Sequence, residues 1–118
     1  MPDITVEELE LLTFFAVEPT PRDPDAPWPY NDFLYEVDQL STKLSFAVDP
    51  VNRDVRLILR NDSRILYELN AMSVSDVKYH NDKGRETLQI VLTSRDSLWL
   101  RITPEITISH NLSEDARE

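Results

Sequence analysis

The chain has 118 residues, is 41% hydrophobic and 29% charged, and carries a formal net charge of −10. That length is about one domain on a scale of roughly 100–200 residues, and it is long enough to bury a core without covalent or metal staples. It has no cysteine and a single glycine, which excludes disulfides, thiolate metal sites, thiol nucleophiles and glycine-rich phosphate loops.

Charge is unevenly distributed along the chain. Residues 1–40 hold ten acids against one base, Arg22, a net of −9, whereas residues 41–118 hold twelve acids and eleven bases. Six of the eight prolines also fall in the first forty residues. The N-terminus lacks the basic-then-apolar layout of a secretory signal, and no apolar run approaches the ~20 residues of a membrane span. A single acidic, cytoplasmic domain is the expectation. It divides into a helix-plus-connector segment over 1–40, a β region over 41–110 and a frayed tail over 111–118.

In chain order, Thr5-Val6-Glu7-Glu8 has the form of a capping box. Leu9, Leu12 and Phe15 follow at helical spacing, which predicts a helix from about Val6 to Ala16. A strand through Leu11 to Val17 is the competing reading, because Thr13 to Val17 also has strand character. Glu18 to Pro29 reads as an extended connector, since proline fixes φ and biases the residue before it away from helix. Phe33, Tyr35 and Val37 alternate as a strand would.

From Lys43 onward the period is two. Leu44, Phe46 and Val48, then Val55, Leu57 and Leu59, then Ile65, Tyr67 and Leu69 alternate with polar neighbours. Val77 and Tyr79, Leu88 to Leu92, Leu98 to Ile102, and Ile106 and Ile108 continue the pattern. Asp49-Pro50, Asn61-Asp62-Ser63, Asn81 to Gly84 and Ser94 to Asp96 supply the turns. The predicted fold is mainly β, an antiparallel meander of about seven to eight strands with one N-terminal helix packed on the sheet.

Same-face pairing would set Arg60 opposite Arg64 and Lys43 opposite Arg60, giving a row of three cations, Lys43, Arg60 and Arg64. Like charges side by side cost some tenths of a kcal/mol per pair. The row either splays into water, is compensated by the acidic first forty residues, or contacts an external anion. The same registers put Arg56 opposite Glu68, Ile58 opposite Leu66 and Val91 opposite Trp99, so the second face carries apolar groups that need cover. The amphipathic helix is the first candidate for that cover. A second sheet layer and a homodimer partner are the others.

Little in the sequence points to catalysis. His80 and His110 lie far apart, which does not match metal-ligand spacing, and no nucleophile motif is complete. No metal or other cofactor is expected. Tyr67 near Arg64 and Trp99 near Arg101 could stack on bases, but the net charge opposes nucleic acid and anionic membranes alike. The acidic connector is the best candidate site. Asp23, Asp25, Asp32 and Glu36 surround Trp28 and Tyr30, and aromatics inside an acidic rim serve as anchors in protein interfaces.

The reading is therefore a non-enzymatic protein-binding domain whose acidic surface engages a basic protein partner, in the manner of an inhibitor or immunity-type protein. Electrostatic steering favours such a partner and rejects acidic ones. The alternative is a small-ligand-binding β domain or weakly specialised enzyme, with Tyr35, Tyr79 or His80 converging on a pocket in the curved sheet.

Overall fold

The computed structural model describes residues 4–112. Among the described residues helix α1 spans Glu8–Phe15, and nine strands follow in chain order: β1 Thr20–Pro21, β2 Phe33–Gln39, β3 Thr42–Asp49, β4 Asp54–Asn61, β5 Arg64–Ala71, β6 Asp76–Asp82, β7 Arg85–Val91, β8 Asp96–Arg101 and β9 Thr107–Leu112. They form two antiparallel sheets in sequential order, β1 to β5 and β6 to β9. The meander is as expected, but it is split into two layers where the chain turns between Ala71 and Asp76. Of the frayed tail expected over 111–118, Asn111 and Leu112 belong to β9, and positions 113–118 lie outside the described residues.

Alternation decides which side of each strand faces inward. Tyr35, Val37, Leu44, Phe46, Val48, Val55 and Leu57 from the first sheet are buried, as are Val77, Leu88, Ile90, Leu98 and Leu100 from the second. Both sets belong to one hydrophobic cluster, so the two layers share a core. Each large buried side chain contributes roughly 1.5–3 kcal/mol to folding. Gln39 ties the layers together with polar bonds: its Nε2 donates to the Ile102 carbonyl at 2.8 Å, and the Ile106 amide donates to its Oε1 at 2.9 Å.

The helix is shorter than expected and turned differently. The capping box forms two residues later than Thr5, with the Glu7 amide donating to Glu10 Oε1 at 3.0 Å. Thr5 instead donates through its amide (2.6 Å) and hydroxyl to the Asp76 carboxylate. Its neighbour Val6 donates to the Val77 carbonyl at 2.8 Å. The buried side of α1 is Leu11, Phe14 and Phe15, while Leu9 is 70% exposed. The two phenylalanines offer more apolar surface than Leu9 and Leu12, and they set the rotation.

Phe15 lies 4.9 Å from the Tyr35 ring and 5.1 Å from Phe46, and Phe14 lies 6.3 Å from Tyr79. The helix thus closes the core between the sheets, touching β2, β6 and β7. It does not cover the reverse side of the first sheet, as the sequence reading expected.

Two registers also need correction. A bulge between Leu59 and Arg60 sets Leu59 opposite Tyr67, Arg60 opposite Ile65 and Arg64 opposite Asn61. Lys43 does face Arg60, but Arg64 is not their cross-strand neighbour, so the expected three-cation row is broken. The shift brings Glu68 opposite Ile58 and Asn70 opposite Arg56. In the second sheet Trp99 faces Gln89, and Val91 faces Ser97. The physical reason is turn length. Asp62, at φ 56, closes a two-residue turn where three residues were expected, and the bulge then restores the apolar alignment. The β6–β7 turn has positive φ at both Lys83 (55°) and Gly84 (88°), the type I′ geometry that suits strand twist.

Two stability predictions follow from this packing. The Tyr35 side chain is wholly buried, and its hydroxyl has no hydrogen-bond partner among the described residues. Burial, with the nearby Glu8 charge second, pushes the phenol well above its ordinary value. Tyr35→Phe is therefore expected to keep or raise stability, by up to about 1 kcal/mol, because it removes an unsatisfied polar group from the interior; urea denaturation measures it. Asp76 behaves oppositely. Burial raises its carboxyl, but the Thr5 hydroxyl and amide, the Val77 amide and the Lys78 charge outweigh that and hold it below its usual value near 3.8. A depressed folded value stabilises above the unfolded value, and that contribution is lost as pH falls through the folded one. Asp76→Asn should lower stability by about 1–2 kcal/mol at neutral pH and flatten the acid limb of the stability–pH curve.

Candidate functional site

The acidic connector is an ordered loop pinned to the edge of the first sheet. β1 pairs with β2 through Thr20 opposite Leu34 and Pro21 opposite Phe33, and a proline with no amide hydrogen suits an edge strand. The loop then closes on Asn31, which is 4% exposed. Its Oδ1 accepts from the amides of Asp23 (3.1 Å) and Asp32 (2.8 Å), and its Nδ2 donates to the carbonyls of Asp23 (2.6 Å) and Ala26 (2.9 Å). One side chain thus satisfies four backbone groups that a wide loop would otherwise leave without partners.

Trp28 opens a 3₁₀ turn over Trp28–Tyr30 and is half-buried, stacked on Phe33 at 5.2 Å. Its ring anchors the loop from inside. Tyr30 is 69% exposed.

The six residues singled out in this segment fall into two groups. Asp23, Asp25, Tyr30 and Glu36 face solvent. Trp28 is half-buried and Asp32 is 7% exposed. The Asp32 carboxylate accepts two hydrogen bonds from Arg56 Nη2, at 2.9 and 3.1 Å, and has Arg22 Nη1 at 3.9 Å. Arg22 also donates its amide to the Asp32 carbonyl at 2.8 Å. Asp32 is thus taken up by an ion pair within the chain.

Lys43 of the basic row meets Glu36 at 3.7 Å. Arg60 and Arg64 form no ion pair among the described residues.

The outward side of the first sheet is an open surface beside this loop. Cross-strand pairing lays Leu34, Ala47, Arg56 and Asn70 in one row and Glu36, Ser45, Ile58 and Glu68 in the next. Leu34, Ser45, Ala47, Arg56, Ile58 and Asn70 line a shallow groove of about 240 Å³. A second groove of about 180 Å³ continues it past Leu34 and Arg56 to Thr20, Pro21, Arg22 and Asp32. The result is an apolar floor with the acidic loop at one edge and Glu36 and Glu68 at the two ends of the row that holds Ile58.

The residues considered for a ligand pocket do not converge. Tyr35 sits in the core, and Tyr79 and His80 are consecutive strand residues on opposite faces. The Tyr79 hydroxyl donates to Glu86 at 2.6 Å, an interaction that, with burial second, raises its ionisation above the ordinary value. His80 Nε2 lies 2.9 Å from Gln89 Oε1, and its ring is 5.5 Å from Trp99. Among the described residues no group of three or more metal-ligating side chains comes together, and no helix is long and apolar enough to cross a membrane.

The architecture is two antiparallel sheets around one helix, and a solved structure shares it. No family model and no curated protein sequence matches the chain. A chain from the contact-dependent growth inhibition toxin–immunity protein complex of Klebsiella pneumoniae 342 is similar, with a TM-score of 0.77 and 22% identity over 94% of this chain and 98% of that one. The likeness is one of fold.

Arg56→Ala would leave the buried Asp32 carboxylate without its closest cation. Because Arg56 is 46% exposed, solvent screens part of the interaction, and the expected loss of stability is about 1–2 kcal/mol. The double variant Arg56→Ala/Asp32→Asn should recover part of it in chemical denaturation, since it removes the stranded charge.

Proposed function

We propose that this chain is a non-enzymatic, immunity-type protein that binds a basic protein partner in the cytoplasm. In this reading the acidic loop and the open face of the first sheet form the contact surface. The observation that carries it is the exposure of Asp23, Asp25, Glu36 and Asp38 along one margin of an apolar groove. Carboxylates around an apolar floor suit a basic partner with an apolar anchor, since charge steers the encounter and the buried centre holds it. The shared fold supports this reading, because the similar chain comes from a complex of a toxin with its immunity protein. A net charge of −10 favours the immunity side of such a pair.

Tyr30 is the exposed aromatic on this margin and the first candidate for a contact residue. Trp28 and Asp32 act behind it by holding the loop in shape. Arg60, opposite Lys43 at the far end of the same face, would meet an acidic group of the partner.

The test is affinity capture from the native host at low and high salt, followed by measurement of association with the purified partner. Asp23→Asn/Asp25→Asn/Glu36→Gln/Asp38→Asn, all solvent-facing, should fold as the parent does and associate about tenfold or more slowly at low salt, with most of the salt dependence gone. Capture of a basic protein with that behaviour supports the reading. Binding that ignores both salt and the fourfold change overturns it.

A further inference from the structure

The second sheet has a different electrostatic character. Residues 76–112 carry five acids (Asp76, Asp82, Glu86, Asp96 and Glu105) and five bases (Lys78, Lys83, Arg85, Arg95 and Arg101). The acid surplus of the chain therefore lies elsewhere. Arg85, Thr87 and Gln89 alternate with the buried Leu88 and Ile90 on β7, and Trp99 and Arg101 alternate with the buried Leu98 and Leu100 on β8. Both arginines are thus on the outward face. Leu88 pairs with Leu100, so Thr87 stands beside Arg101 and Arg85 lies one pleat further along the same side.

The two guanidinium-bearing residues line a single pocket of about 280 Å³, together with Gly84, Thr103 and Pro104. Like charges lining one pocket repel, and neither arginine forms an ion pair among the described residues. The neighbouring acids are partly committed elsewhere. Glu86 accepts the Tyr79 hydroxyl at 2.6 Å. Asp82, the backbone partner of Arg85 across the β6–β7 turn, and Glu105 are exposed and form no ion pair among the described residues.

We infer that this pocket binds a phosphoryl group, with Arg85 and Arg101 as the charge partners and the Thr103 hydroxyl as a further donor. Two guanidinium groups match the charge of a phosphate, about −1.5 to −2 near neutral pH, and the planar fork of each presents paired N–H donors to its oxygens. The shared chemistry covers free phosphate and a phosphate monoester. The site lies on the second sheet and owes nothing to the acidic loop.

The test is a titration of the full ¹⁵N-labelled chain with inorganic phosphate and, separately, with phosphoserine, using chloride and acetate at matched ionic strength as controls. The expected result is saturable amide shifts centred on Gly84, Arg85, Arg101 and Thr103, with at least tenfold weaker binding in Arg85→Gln/Arg101→Gln. Shifts elsewhere in the spectrum report whether that variant folds, and single variants serve if the double one does not. Response to both ligands assigns a phosphoryl site open to either source. Response to phosphoserine alone assigns an esterified phosphate, and response to phosphate alone assigns the free ion. No response, shifts equalled by chloride or acetate, or undiminished binding in the variants overturns the inference. The fourfold acid variant of the first sheet should bind phosphate as the parent does, so this result and the partner experiment are decided separately.

Discussion

Everything else in the molecule follows from where Phe15 goes. Its ring is wholly inside, against Tyr35 and Phe46, while the same helix contacts β6 and β7 of the other layer. A helix of eight residues has too few hydrogen bonds to stand alone in water, so tertiary packing fixes its position. By spending its apolar side between the sheets, it leaves the reverse side of β2 to β5 to solvent. The open groove is a direct result of that choice.

The two sheets divide the work between charge and neutrality. The first sheet and the segment before it carry the acid surplus, and the apolar strip of Leu34, Ala47 and Ile58 lies among those charges. The second sheet is balanced overall and gathers two arginines at one end. Asp32 shows why counting acids is not enough. It belongs to the acidic segment, yet its carboxylate is buried against Arg56, so it contributes to shape rather than to the outward field.

Most of the architecture was legible because strand alternation is a local signal. Leu44, Phe46 and Val48, and likewise Leu88 and Ile90, point inward as their spacing requires. What was not legible depended on geometry between elements. The bulge at Leu59/Arg60 shifts β5 by a small change in turn length, and Asn61-Asp62-Ser63 fits a loop of either two or three residues. The helix was placed by periodicity, but Leu9, Leu11, Leu12, Phe14 and Phe15 fit more than one buried face. Within the candidate site the exposed acids were readable from composition. The roles of Asn31, Arg22 and Arg56 were not, because each acts on groups that only the folded chain brings near. Asn31 just ahead of an aromatic strand was the one available cue.

The four bonds made by Asn31 have a consequence for recognition. They hold the backbone from Asp23 to Asp32 in one shape before anything docks. A visitor to that margin would find its contacts preorganised and would not have to freeze a mobile strap, a step that in flexible segments offsets much of the gain from contact. Selectivity would then come from shape as well as from sign. A cation that cannot follow the fixed contour of the strap would gain only the long-range attraction.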